Sequence, residues 1–156
     1  MASVITIAWS VTAPPERVFD LARSVDAHLA STSSTDERAV GKKTTGLLDL
    51  GEEVTWRARH LGVVQELTSR ITAFDRPHHF RDTMIRGAFR RFEHDHFFEA
   101  DGDDPDVCRC LDVFAFAAPL GPLGWLAERL FLERYMRQFL EERIRVLIAL
   151  AGRSTP

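Results

Sequence analysis

Only two of the 156 residues are cysteine, Cys108 and Cys110, and their spacing rules against a staple between them. Residues i and i+2 of a strand share a face with Cα atoms about 6.5 to 7 Å apart, at the far limit for a disulfide. Both thiols are therefore expected to be reduced and to pack as small hydrophobes. No block of a single charge sign occurs: 20 Lys+Arg and 23 Asp+Glu are dispersed along the chain, for a net charge of -3. Without a basic stripe there is no electrostatic footprint for nucleic acid. Nowhere do the roughly 18 uninterrupted apolar residues of a membrane-spanning helix occur, and Met1 to Trp9 lacks the pattern of a secretory leader. The expectation is a cytoplasmic protein without stable membrane insertion. Gly-x-Ser-x-Gly, a phosphate-cradling glycine-rich loop and His-Glu-x-x-His are all missing, so no standard nucleophile, nucleotide or zinc-protease motif is on offer.

What is present reads as a folded domain. Hydrophobic residues make up 45% and charged ones 28%, too apolar for disorder. A chain of this length buries roughly 70% of its unfolded surface. One domain over residues 1–151 with a flexible tail over 152–156 is expected. Ser3 to Thr12 alternates as a strand and stops at Pro14-Pro15, which opens a short helix to Ala22. Ser24 caps a second short helix, Val25 to Leu29. After a polar turn over Ser31 to Asp36, a weak strand over Glu37 to Thr45 precedes five clearer ones: Glu52–Leu61, Val63–Phe74, Phe80–Arg86, Phe89–Ala100 and Val107–Ala117. Short turns between them imply an antiparallel meander. Leu123 to Ala151 contains one glycine and no proline and reads as one helix about 40 Å long. The fold class is thus α+β: a curved antiparallel sheet of six or seven strands around a long C-terminal helix, with two short helices after the first strand.

Alternation assigns the inner face. Phe92, His94, His96 and Phe98 share one parity, and Cys108, Cys110, Asp112, Phe114 and Phe116 share another on the next strand. A symmetric hairpin sets His96 opposite Asp112, and a shift by two sets His94 there; either brings a carboxylate to an imidazole. Asp82 adds a second carboxylate if a bulge or a three-residue loop near Gly87 keeps Phe80 and Met84 inside. On the helix, Tyr135, Met136, Phe139, Leu140, Ile144 and Leu147 fall on one side, while Arg134, Arg137, Glu141 and Arg145 lie toward the other. The segment Leu123 to Leu132 is apolar nearly all round, which suits burial under a neighbouring loop, with a ligand portal, a dimer contact or a membrane-touching edge as alternatives.

A wall bearing Trp56, His60, Phe92, His94, His96, Phe114 and Phe116 is both aromatic and polar, as in a pocket that stacks a ligand and fixes it with a few hydrogen bonds. Asp82, Asp112, Tyr135 and Phe139 complete the candidate binding set. His94, His96 and Asp112 are the candidates for acid–base chemistry, since a His and Asp pair in a desolvated pocket can move a proton. The same groups serve equally as satisfied interior histidines. His94-Asp95-His96 beside Cys108-Arg109-Cys110 and Asp112 also offers metal ligands, although the spacing matches no known finger pattern. The reading settles on no metal and no cofactor.

The order of elements, with Gly51-Glu52-Glu53-Val54-Thr55-Trp56-Arg57-Ala58-Arg59-His60, Phe92-Glu93-His94-Asp95-His96-Phe97-Phe98-Glu99 and Ala118-Pro119-Leu120-Gly121-Pro122-Leu123-Gly124, resembles the SRPBCC superfamily. That superfamily includes START domains, birch-pollen allergen relatives, polyketide cyclases and coenzyme Q-binding proteins. The resemblance spans nearly the whole chain and is closest to a bacterial ligand-binding branch with no agreed substrate, so no catalytic residues carry over. It implies a helix-grip fold and an internal cavity for a small hydrophobic or aromatic molecule of the lipid, quinone or polyketide class. Within it, binding or transport is the leading expectation, with a polyketide cyclase/dehydratase-like enzyme as the alternative. A homodimer stays open as a further alternative.

Overall fold

The computed structural model describes residues 2–119 and 121–152. Seven strands form one antiparallel sheet: β1 (Ser3–Thr12), β2 (Arg38–Val40), β3 (Glu53–His60), β4 (Val63–Asp75), β5 (His79–Arg86), β6 (Arg91–Ala100) and β7 (Val107–Ala117). Their order is β1-β7-β6-β5-β4-β3-β2, so every neighbouring pair is consecutive except that the last strand pairs with the first. Two short helices, α1 (Pro15–Ala22) and α2 (Val25–Ser31), follow β1, and α3 (Gly121–Ala127) and α4 (Glu133–Ala151) follow β7. The local reasons are those visible in sequence. Pro15 starts α1 where a missing N–H costs nothing, and the Ser24 hydroxyl accepts the Ala27 N–H at 3.2 Å to open α2.

Three details depart from expectation. The weak strand shrinks to Arg38–Val40, because Gly41 at φ +96° turns the chain away, and the preceding polar turn contains a single 3-10 turn, Ser33–Thr35. β6 begins at Arg91, leaving Phe89 in the turn before it. The last helix is not continuous: Glu128–Leu132 forms a π turn between α3 and α4. α4 alone has 19 residues, about 28 Å at 1.5 Å per residue. Burial under a loop is also corrected for this segment, since Leu123, Leu126, Leu130 and Phe131 are all exposed. A run that is apolar all round carries no phase, so sequence could not tell which side faces inward. Gly124 sits where an added Cβ would come within 1.8 Å of the Pro119 carbonyl oxygen, so only glycine lets α3 fold back on that chain. The tail residues 153–156 and Leu120 lie outside the described residues.

The β5–β6 register centres on Ala88, so the loop at Gly87 holds an odd number of residues and turns β5 inward, while the β4–β5 ladder carries one extra residue on each strand, Ile85 in β5 and Thr72 in β4. In that β5–β6 register, Phe80 and Asp82 stand directly across from His96 and His94. Side chains between sheet and helices form two buried clusters. One surrounds Phe19 with Val18, Trp56, Ile71, Phe80 and Phe98; the other joins Ile5, Phe114 and Phe116 to Met136 and Leu140 of α4. α1 is tied to the end of α4 by Arg17, whose Nε donates to the Ala151 carbonyl at 2.9 Å and Nη2 to that of Leu150 at 3.3 Å. These are carbonyls that a helix end leaves without an internal partner. No helix among the described residues is long and apolar enough to cross a membrane.

Candidate functional site

A cavity of about 160 Å³ lies between the concave face of the sheet and α4, with walls drawn from both buried clusters. Eight of the residues singled out from sequence line it: Trp56 and His60 from β3, Asp82 from β5, Phe92 and His94 from β6, Phe114 from β7, and Tyr135 and Phe139 from α4. The other three do not. Phe116 packs behind Phe114 with ring centroids 5.1 Å apart, while His96 and Asp112 form a second layer behind His94.

That second layer is a closed hydrogen-bond network. The symmetric hairpin register holds, with His96 opposite Asp112. Asp112 Oδ1 is shared by His94 Nε2 at 2.8 Å and His96 Nδ1 at 2.9 Å, while its Oδ2 accepts from Trp9 Nε1 at 2.5 Å. His96 Nε2 reaches Asp82 Oδ2 at 3.1 Å, and its ring is sandwiched between Phe80 and His94, at 4.3 Å and 3.8 Å. His94, His96 and Asp112 are all buried.

The two histidines are driven in opposite directions. Burial pushes His94 below its ordinary value, the neighbouring His96 charge adds to this, and Asp112 does not restore it. Burial also acts against His96, but hydrogen bonds to Asp112 and Asp82 outweigh it and raise the group. Burial would raise Asp112, yet its bonds from His94 and His96 hold it well below the usual carboxylate range, and Asp82 is lowered for a similar reason. In linkage terms the proton on His96 stabilises the fold fully below about pH 6.5, and that increment is lost as pH rises through the folded-state value. His94 works the other way: the folded form takes up a proton less readily than the unfolded chain, so stability falls as pH drops through about 6.5. The carboxylate increments are present above about pH 4 and disappear as pH falls through the lowered folded-state values. Imidazole NMR at pH 6.5 is expected to show His96 more than half protonated and His94 less than half. Equal protonation of both rings would contradict the network.

At another part of the wall, His60 Nδ1 and the Tyr135 hydroxyl lie 2.8 Å apart, with Phe139 edge-on to the His60 ring. Burial lowers His60 against the charge of Glu37, and burial together with that charge raises Tyr135. Five charged or titratable lining residues, Arg23, His28, Glu37, Glu66 and Arg143, went unread in the sequence. Arg143 had a signal. It stands seven residues after Met136, three after Leu140 and four before Leu147, on the buried stripe of α4. His28, stacked on Trp56 at 4.0 Å, and Glu37 had none, because the seven-residue α2 and the connection before β2 carry no readable period.

The hairpin metal grouping does not assemble. Asp95 bonds to His79 and Arg81, and Cys108 and Cys110 sit opposite Ala100 and Phe98. Among the described residues, Asp82, His94 and His96 can each bring one ligand atom within 4.8 Å of the others. His94 Nε2 and both nitrogens of His96 already share hydrogen bonds with Asp112 or Asp82.

Several solved structures share this architecture. TTHA0849 from Thermus thermophilus is 20% identical with a TM-score of 0.75, covering 97% of this chain and 100% of its own. The ZhuI aromatase/cyclase of a Streptomyces species is 12% identical with a TM-score of 0.76, covering 98% and 95%. A START superfamily protein from Mycobacterium smegmatis is 11% identical with a TM-score of 0.70, covering 95% and 96%. At these identities the likeness is one of fold. No curated protein sequence matches the chain. The family described as polyketide cyclase/dehydrase and lipid transport matches over residues 4–152, nearly the entire chain, and the protein belongs to that family.

Proposed function

We propose that the protein binds and carries a small aromatic or otherwise apolar molecule in the cytoplasm, held between β3, β5, β6, β7 and α4. The observation that carries this reading is the cavity itself, walled by Trp56, Ile71, Phe92, Phe114, Met136 and Phe139 and backed by the hydrogen-bonded layer of His94, His96 and Asp112. Its volume of about 160 Å³ is close to that of an engineered cavity of roughly 150 Å³ that accepts benzene. Among lipids, quinones and polyketides, that size favours compact ring systems; long acyl chains would have to displace side chains. Native mass spectrometry of the purified protein, with extraction of whatever is released, tests the reading. An apolar molecule in stoichiometric amount supports it. A protein that stays at its bare mass even after incubation with toluene or naphthalene would sink it.

Ala58 is buried and lines the cavity. Ala58→Leu is expected to leave thermal stability unchanged or slightly raised, because it fills space without crowding a packed core, and to weaken binding by more than about tenfold. Melting curves and calorimetry with the same guest check both halves.

Acid–base catalysis in the same cavity is a second reading, supported by the position of His94 on the wall, neutral through burial and oriented by Asp112. A neutral, oriented imidazole is a competent base. Under this reading His94→Gln retains a bound molecule that differs chemically from the one extracted from the wild type. Identical extracts would leave binding alone.

A further inference from the structure

We infer that the cavity selects an arene carrying an acidic or carbonyl oxygen on one side and a separate hydroxyl or amino donor on another, rather than a plain hydrocarbon. This inference rests on the binding role proposed above and names the chemistry of its ligand. Among the described residues, three buried side-chain polar atoms have no hydrogen-bond partner: His28 Nε2, Glu37 Oε2 and Arg143 Nε. All three residues line this one cavity. Buried polar groups in folded proteins are nearly always paired, so a cluster of exceptions around a single space points to a guest that completes them.

Arg143 supplies the site for an acceptor. Its side chain is 8% exposed, and Nη2 donates to the Ala22 carbonyl at 3.0 Å. Its charge acts on Asp82 and His96 through space, but no carboxylate among the described residues closes on it as an ion pair. A guanidinium carries five N–H donors and stays charged when buried, so a carboxylate, phenolate or carbonyl oxygen is its natural complement. Glu37 supplies the site for a donor. Its side chain is 6% exposed, and the carboxyl lies below its ordinary value because the adjoining His28 and its other partners outweigh burial. His28 Nε2 pairs with Glu37 Oε1 at 3.3 Å and the Thr32 side chain also acts on this carboxyl, while Oε2 has no hydrogen-bond partner. A phenol or an aromatic amine would donate there. Trp56, with His28 stacked on it, and the rings of Phe92, Phe114 and Phe139 supply the apolar walls of the same space, whose volume limits the guest to about one ring.

Calorimetry with toluene, phenol, benzoate and the three isomers of hydroxybenzoate tests this on the wild-type protein. One hydroxybenzoate isomer is expected to bind at least about tenfold more tightly than toluene, phenol or benzoate, the increment of one well-made charged hydrogen bond. Arg143→Met should then bring hydroxybenzoate down to the level of phenol, and Glu37→Gln should bring it down to the level of benzoate. Both variants should lose much less affinity for toluene than for hydroxybenzoate, and their urea unfolding curves show that they are folded. If Arg143→Met does not fold, Arg143→Lys, which keeps the charge and loses the fork, should still weaken the carboxylate-bearing probes selectively. Equal affinity for toluene and every hydroxybenzoate overturns the inference and leaves the binding role intact. A preference that survives both substitutions overturns the assignment to these residues. Failure of every probe, toluene included, overturns the inference and the binding role together.

Discussion

Asp112→Asn will unfold far more readily than the wild type, at a cost of about 3 to 5 kcal/mol. The carboxylate is buried and accepts from three side chains on two strands, Trp9 on β1 and His94 and His96 on β6. Asparagine keeps the shape but not the charge, and its amide places donors where only acceptors fit. His96 then loses one of the two carboxylates that sustain its proton, and a buried imidazolium with reduced compensation is costly. Against a total stability of about 5 to 15 kcal/mol, such a loss removes a large share of the fold's margin. Equilibrium urea unfolding should show a lower midpoint at unchanged slope, and the melting temperature should drop by roughly 6 to 20 °C. A change below about 1 kcal/mol would mean that the three bonds do not hold together in solution.

Phe19→Ala should cost a similar amount, about 3 to 5 kcal/mol, through an unrelated mechanism. Phe19 is fully buried on α1 and meets the rings of Phe74, Phe80 and Phe98 edge-on, at 5.3, 5.2 and 5.5 Å. Truncation leaves a void where a helix meets three strands, and those rigid rings cannot collapse to fill it. The two substitutions separate packing from charge. Phe19→Ala should leave His96 titrating as in the wild type in whatever fraction remains folded, whereas Asp112→Asn should lower it. If both moved the titration equally, the ring that Phe80 lays on His96 would matter more to its charge than the carboxylate does.

The chain order of strands and helices was legible because turns punctuate it and alternation is strong from Glu53 onward. That an imidazole of β6 meets Asp112 was legible in either register, whereas the place of Asp82 hung on the loop at Gly87. Parity, however, says which face a side chain takes and not how deep it lies along that face. His96, Asp112 and Phe116 share the inward parity and yet sit behind the wall. Arg143 was read past because arginine on a helix is ordinarily solvated, although its spacing from Met136 and Leu140 placed it inside. The apolar segment from Leu123 to Leu132 failed for the converse reason. Hydrophobicity without a period does not determine burial, and the π turn rotates this segment relative to α4.

Because residues of both clusters wall the cavity, a guest seated there would touch both halves of the core at once. Amide hydrogen exchange should register this as a change in cooperativity. In free protein, backbone amides near β3 and those near β1 and β7 open with different free energies, as separate units. With a ligand bound, opening either side exposes it, so both sets should slow toward one common rate that tracks ligand concentration.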